Sequence, residues 1–81
     1  MKVVWDENER PTNLAEHGMD FADLDSEFFE RAVIQPSVNG RYLAIGTFKG
    51  AVVIVVYRLL GAEAVSVISM RRASRKERKL L

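Results

Sequence analysis

The stretch "AVVIVVY", residues 51–57, is the longest apolar run of the chain and decides its fold class. Its β-branched residues favour an extended strand. The run does not alternate polar with apolar residues, which is typical of a strand covered on both faces and therefore predicts a central position in a sheet. Because seven residues are too few to span a bilayer, a membrane segment is excluded.

Strands are also predicted on both sides of this run. Residues 41–48, "RYLAIGTF", form the strand before it, and the Lys49-Gly50 step between the two predicts a β-hairpin. The turn signals "SVNG" and "GAE" separate these two strands from the apolar stretches that precede and follow them. Further short strands are predicted at residues 2–5, 32–36 and 64–70.

Helices are predicted near both ends of the chain. Asp6 with Glu9 has the spacing of a capping box, and Gly18 is placed to end that first helix. Pro11 conflicts with a start at Asp6, because a proline in a helix interior removes a hydrogen bond; the helix begins at Pro11 or is kinked there. Residues 20–30 predict a second short helix, with Phe21, Leu24 and Phe28 on one stripe.

Ser74 and Glu77 have the spacing of another capping box, which predicts a short last helix. The predicted order of elements is β-α-α-β-β-β-β-α within one domain, residues 1–81. This order indicates an α+β fold, in which an antiparallel meander carries the N-terminal helices and a short C-terminal helix packed on it.

Charge is divided unevenly along the chain, although the formal net charge is only +1. Residues 1–30 hold nine acidic and two basic side chains, whereas residues 31–81 hold ten basic and two acidic ones. This division suggests two surfaces with different partners, one of which can meet phosphate. The alternative is that the two halves neutralise each other across the fold.

Several classes of site have no signal in the sequence. The chain has no Cys, so disulfides and zinc–thiolate sites are excluded. No metal cluster, glycine-rich phosphate loop or nucleophile motif is visible, and we expect no cofactor. The first residues, "MKVVWDENER", lack a signal-peptide core, so we expect a cytoplasmic protein without membrane contact.

Four blocks of the sequence together resemble one protein family. The blocks are "WDENERPTNLAEHGMDF", "RYLAIG", "VVYR" and "ISMRRASRKER", which follow one another over nearly the whole chain. They resemble the BrnT family of type II toxins, whose members are similar in fold to RelE-like ribonucleases. Two departures stand out, because Glu9 and Glu16 occupy positions at which the family pattern has lysine, and Met70 replaces a small alanine.

The resemblance implies a ribonuclease that blocks translation and is neutralised by a BrnA-type ribbon-helix-helix antitoxin. Because such an antitoxin is itself a dimer, we expect a heterotetramer of two toxins and two antitoxins, which binds operator DNA only through the antitoxin. The alternative is a toxin-family protein that has lost cleavage and only binds an antitoxin or acts as a corepressor. Glu9 and Glu16 favour the alternative, and the complete C-terminal block favours the nuclease.

Metal-free cleavage of RNA needs cations around the phosphate and groups that transfer protons. Arg71 and Arg41 are predicted to bind the reacting phosphate, because guanidinium groups stay charged and bind phosphate through two donors. The alternative for Arg71 is an ion pair with the acidic N-terminal half. His17 can transfer protons, although its place in the last turn of a helix also explains it. Glu77 can act as a general base, although its capping position explains it without chemistry.

Further basic residues are predicted to bind RNA around this centre: Arg58, Arg72, Arg75 and Lys49. The basic side chains of the last helix cannot all face one ligand, so they are expected to attract RNA generally or to meet the antitoxin. Tyr57 and Trp5 are expected to be core residues. A small DNA-binding protein is a weaker interpretation, because no helix-turn-helix spacing is visible.

Overall fold

The computed structural model describes all 81 residues, and its elements follow the predicted order. The strands are β1 (Lys2–Trp5), β2 (Val33–Pro36), β3 (Tyr42–Phe48), β4 (Ala51–Leu60) and β5 (Ala64–Arg72). The helices are α1 (Glu9–His17), α2 (Ser26–Arg31) and α3 (Arg75–Arg78), with one 3-10 turn at Phe21–Asp23. The predicted α+β class is confirmed. None of the helices is long and apolar enough to cross a membrane.

The five strands form one sheet in the order β1-β5-β4-β3-β2. β4 lies in its centre, and Val53, Ile54 and Val55 have no exposed surface, which confirms the prediction from the apolar run. The pairs β2–β3, β3–β4 and β4–β5 are antiparallel, whereas β1 pairs with β5 in parallel. The sheet is therefore mixed and not wholly antiparallel, because no hairpin joins β1 to β5 and forces them to run in opposite directions.

Two tight turns set the register of the meander. Lys49 and Gly50 both have positive φ, at 48° and 81°, which is the geometry that a two-residue hairpin prefers. Asn39 and Gly40 repeat this pattern between β2 and β3, at 55° and 72°. The predicted hairpin at Lys49-Gly50 is confirmed.

The first helix begins at Glu9, which is later than the predicted cap at Asp6 and earlier than the alternative start at Pro11. Its N-cap is Asn8, which makes no side-chain capping bond, and the Asp6 carboxylate accepts a hydrogen bond from the Asn8 N–H instead. The predicted Asp6–Glu9 capping box is therefore wrong. Pro11 lies in the first turn, where a backbone N–H has no partner within the helix, so the expected conflict disappears. Gly18 ends the helix at φ 69°, as predicted.

The predicted second helix is divided into two short pieces. The Asp20 carboxylate accepts from the Ala22 N–H and starts the 3-10 turn, while the Asp25 carboxylate accepts from the Phe28 N–H and starts α2. Two competing caps so close together break the helix between them. Phe21, Leu24 and Phe28 nevertheless all enter the core.

The core lies between the sheet and the segment that carries α1, the 3-10 turn and α2. Four side chains of that segment pack on the helix-covered face of the sheet, here called the inner face: Phe21, Leu24, Phe28 and Phe29. A Cβ at Gly46 would lie 3.1 Å from the Phe28 ring, so glycine permits this close approach. Tyr57 is buried and Trp5 packs at the margin, so both are core residues as expected.

Candidate active site

The face of the sheet turned away from α1 and α2, here called the outer face, carries the best candidate site. Cross-strand partners share a face, so the register places Ile45, Ile54 and Arg71 in one row across three strands. The next row is Leu43, Val56 and Ser69. A third row pairs Arg58 with Ser66. The outer face thus has an apolar floor with arginines at two of its rows.

A β-bulge in β5 decides that Arg71 belongs to this face. Val56 pairs with Ser69 and Tyr57 pairs with Val67, so Ile68 is an extra residue opposite β4. Without that extra residue, strict alternation from the buried Val67 would turn Met70 outward and Arg71 into the core. With it, Met70 is buried and Arg71 is only half-buried on the outer face.

Arg71 is held by Glu77 through a bidentate ion pair. Its Nη1 and Nη2 donate to Glu77 Oε1 and Oε2 at 2.7 and 2.8 Å, and Nη1 also donates to the Arg72 carbonyl at 3.3 Å. Because Arg71 and Glu77 are hydrogen-bonded, the pKa of Arg71 is raised and the pKa of Glu77 is lowered to about 2. The alternative prediction for Arg71, an ion pair with the acidic N-terminal half, is wrong, because its partner is Glu77.

Glu77 also closes the predicted capping box of α3. Its Oε1 accepts from the Ser74 N–H at 2.8 Å, and the Ser74 hydroxyl accepts from the Glu77 N–H at 3.1 Å. Both carboxylate oxygens are therefore engaged. With its pKa near 2 and no free oxygen, Glu77 is poorly suited to the general-base role that the sequence suggested.

Arg41 and Arg58 lie together at the far end of the outer face. Tyr42 pairs with Tyr57, so the residue before Tyr42 and the residue after Tyr57 are neighbours on adjacent strands. Neither arginine is in an ion pair, and the buried Arg41 Nε has no hydrogen-bond partner. Two adjacent like charges are unfavourable unless an anion lies between them, so this end suits a phosphate.

His17 stands apart from the arginines. It lies exposed in the last turn of α1, with its Nε2 3.8 Å from Glu16 Oε2. It borders a shallow groove between α1 and β5, whose lining includes Glu9, Glu16 and Ser69. No hydrogen bond or ion pair joins His17 to Arg71, so the structure does not bring together all four residues predicted to be catalytic.

The residues predicted to bind RNA are divided between the faces. Only Arg58 lies on the outer face. Arg72 follows Arg71 and faces the opposite side, where it lines a groove with Asp20 and Lys49. Lys49 is already paired with Asp23 at 2.8 Å, and Arg75 is exposed on α3.

The acidic and basic halves of the chain do not neutralise each other. Of the ten basic residues after position 30, Arg31, Lys49 and Arg71 form ion pairs. Only Arg31 and Lys49 reach acids of the first half. The other seven have no acidic partner: Arg41, Arg58, Arg72, Arg75, Lys76, Arg78 and Lys79. The chain therefore presents a basic surface with unused charge.

Sequence reasoning did not identify two residues as parts of this site, Ser69 and Asn13. Ser69 is on the outer face only because of the bulge. Asn13 donates to the nearby Met19 carbonyl, and it also accepts from the Met70 N–H beside the bulge. An Asn in a helix interior was the only sequence signal for such a contact. No group of three or more His, Cys, Asp or Glu side chains is arranged to hold a metal ion.

Comparison with known proteins identifies the family. Residues 5–77 match the model of the family described as "Ribonuclease toxin, BrnT, of type II toxin-antitoxin system". The chain belongs to the BrnT family of ribonuclease toxins. The crystal structure of the Brucella abortus ribonuclease toxin, BrnT, is similar, with 51% sequence identity and a TM-score of 0.86. The similarity covers 93% of this chain and 99% of the Brucella chain. No curated protein matches the chain.

Membership in the BrnT family confirms the resemblance drawn from the sequence blocks. The family is one of toxins in type II toxin–antitoxin systems, which implies an antitoxin partner. The family also supports ribonuclease activity.

Proposed function

We propose that this chain is a metal-independent, RelE-like endoribonuclease toxin that cleaves RNA laid across the outer face. The observation that carries the proposal is the half-buried Arg71, held on the face whose far end carries the unpaired Arg41 and Arg58. A fixed guanidinium stabilises the negative charge that develops on a phosphate in the transition state, and it needs no reorganisation to do so.

In this mechanism the ribose 2′-oxygen attacks the adjacent phosphorus, and the bond from phosphorus to the 5′-oxygen breaks. The products are a 2′,3′-cyclic phosphate and a free 5′-hydroxyl. The proton lost by the 2′-hydroxyl and the proton gained by the 5′-oxygen are exchanged with His17 or with solvent. Imidazole is suited to this transfer because its protonation changes near neutral pH. Arg71 stabilises the negative charge on the phosphate. Glu77 takes no part in the proton transfer.

The arginine pair at the far end extends the substrate site. Arg58 lies four residues along β4 from Ile54, which shares the row of Arg71. The two rows are therefore about 13 Å apart at the usual rise of a strand. Arg41 and Arg58 hold a neighbouring phosphate, while Leu43 and Val56 between the rows offer apolar contact to a base or ribose. A flat apolar floor between cations suits single-stranded RNA.

The antitoxin partner is of the BrnA type, a ribbon-helix-helix protein that forms a complex of two toxins and two antitoxins. Support comes from the unneutralised arginines and the half-buried Leu43 and Val56, which an acidic and apolar segment complements. Operator DNA binds through the antitoxin alone. Light scattering of the co-purified complex tests the stoichiometry. Gel shifts test whether DNA binding comes from the antitoxin alone. We expect the complex to shift operator DNA and the free toxin not to shift it.

A cleavage-impaired antitoxin-binding module is the second candidate. The groove beside His17 is lined by Glu9 and Glu16, which repel RNA on that side. A cleavage assay separates the candidates, with purified toxin, a single-stranded RNA and EDTA. We expect cleavage in EDTA. Cleavage that disappears in EDTA and returns with Mg²⁺ contradicts the metal-free mechanism, and no cleavage under any condition supports the binding module.

A further inference from the structure

We propose that Glu77 is a positioning residue that presents one edge of the Arg71 guanidinium to the RNA phosphate. The inference rests on the proposed nuclease function and assigns the contact that Arg71 makes there. It differs from the general-base role, because Glu77 acts only through Arg71.

The hydrogen bonds of Arg71 identify the free edge. A guanidinium has five N–H donors. Nη1 uses its two hydrogens on Glu77 Oε1 and the Arg72 carbonyl, and Nη2 uses one on Glu77 Oε2. The Nε–H and the second Nη2–H have no partner. These two donors lie side by side on one edge and form the fork that matches two oxygens of a phosphate.

Glu77 is rigid enough to fix that edge. Its Oε1 accepts from the Ser74 backbone N–H at 2.8 Å, a bond that does not depend on the Ser74 side chain. The segment that leads into α3 is itself fixed, since the Ala73 N–H donates to the Val52 carbonyl at 2.9 Å. Hydrogen bonds thus tie Ala73 to β4, the next residue Ser74 to Glu77, and Glu77 to Arg71. A rotation that offered a different pair of donors would break the two bonds from Nη1 and Nη2 to Glu77.

The ion pair and the helix cap can be separated by mutation. Glu77→Gln keeps an oxygen for the Ser74 N–H but places an amide against the guanidinium, so the bidentate pair is lost. Ser74→Ala removes the hydroxyl that accepts from the Glu77 N–H and leaves the Arg71–Glu77 pair in place. Ser74→Ala is therefore the matched control for damage to the cap alone.

The experiment measures cleavage of a short single-stranded RNA across a pH range for wild type and both variants. We expect Glu77→Gln to lower kcat by on the order of 10²-fold, because a misplaced catalytic cation costs about that much. KM should change little, and the shape of the pH–rate profile should be that of wild type. Ser74→Ala should retain most of the activity.

Three outcomes overturn the proposal. The first is that Glu77→Gln cleaves as well as wild type. The second is that Ser74→Ala loses as much activity as Glu77→Gln, which indicates that Glu77 acts only as a helix cap. The third is that Glu77→Gln loses one limb of the pH–rate profile, which indicates that Glu77 is a general base. A wild-type protein without cleavage instead refutes the nuclease function itself.

A second measurement on the wild type needs no folded variant and no cleavage. The Nε–H resonance of Arg71 is followed by NMR while a 2′-deoxy dinucleotide, which cannot be cleaved, is added. We expect this resonance to shift as the dinucleotide phosphate occupies the free edge. Binding of the dinucleotide without any shift of the Arg71 Nε–H, or no binding at all, contradicts the proposed fork.

Discussion

The Asn13 side chain in α1 accepts a hydrogen bond from the backbone N–H of Met70 in β5, at 3.1 Å. Its amide also donates to the Met19 carbonyl at 3.2 Å. β1 ends at Trp5, opposite Val67, so the edge of β5 beyond that point has no strand to pair with. Asn13 satisfies this edge immediately after the bulge at Ile68. The bond therefore ties α1 to the irregularity that turns Arg71 toward the outer face.

Removing this side chain should destabilise the protein and reduce cleavage. Asn13 is 5% exposed, so Asn13→Leu leaves the Met70 N–H and the Met19 carbonyl without partners away from water. We expect a loss of roughly 1–3 kcal/mol in the free energy of unfolding, measured in urea. Thr12→Ala, at an exposed position of the same helix, is the control. A loss no larger than that of the control contradicts the role of Asn13 at the bulge.

Arg71→Ala should abolish cleavage and leave antitoxin binding nearly unchanged. In the proposed mechanism the reacting phosphate loses its charge partner, whereas the proposed antitoxin surface extends well beyond Arg71. Arg71→Lys should restore little, because an ammonium cannot replace two parallel donors. Arg31→Ala, which removes an exposed cation from α2, controls for net charge. If Arg71→Ala prevents folding, seen by circular dichroism, the ion pair with Glu77 is structural and the assigned site is wrong.

Arg58→Ala and Arg41→Ala should weaken RNA binding more than they slow the chemical step. In the proposed site, each of these two arginines neutralises a phosphate two rows away from Arg71. We therefore expect a higher KM with a smaller change in kcat. The slope of log affinity against log salt should become less steep by about 0.7 for each phosphate of single-stranded RNA that is no longer neutralised. Titrations at several salt concentrations measure the slope. A fall in kcat alone assigns these arginines to the reacting phosphate instead.

Acid should destabilise the protein through two carboxylates. The hydrogen bond from Arg71 lowers the pKa of Glu77 from 4.5 to about 2, and the hydrogen bond from Arg10 lowers that of Asp20 from 3.8 to about 2. A carboxyl group whose pKa is lower in the folded than in the unfolded protein stabilises the folded state at any pH above its unfolded pKa. This contribution is lost as the pH falls toward the folded pKa. The melting temperature should therefore fall between about pH 4.5 and 2.

Glu77→Gln and Asp20→Asn test the two contributions separately. Each substitution removes one titrating group. The melting temperature of each variant should therefore fall by less than that of wild type over the same acid range. A variant whose melting temperature falls as steeply as that of wild type shows that the group it lacks does not contribute.

The features predicted correctly from the sequence depend on residues close together in the chain. "AVVIVVY" indicated the central strand, because burial on both faces needs an uninterrupted apolar run. Lys49-Gly50 indicated a hairpin, and Ser74 with Glu77 indicated a cap, because both contacts form within four residues. The predicted Asp6–Glu9 capping box was wrong, because the Asp6 carboxylate accepts from the nearer Asn8 N–H and the helix begins only at Glu9.

By itself the sequence determined the family, the α+β class, the central strand and the local turns and caps. Only the tertiary structure decided that β1 runs parallel to β5, that Ile68 is a bulge, and that Arg71 faces outward while Arg72 faces the helices. Side chains alternate along a strand, so one inserted residue exchanges the faces of all that follow. Whether such a residue is inserted depends on the register with β4, and the bulge is followed by a bond to Asn13, fifty-seven positions before Met70.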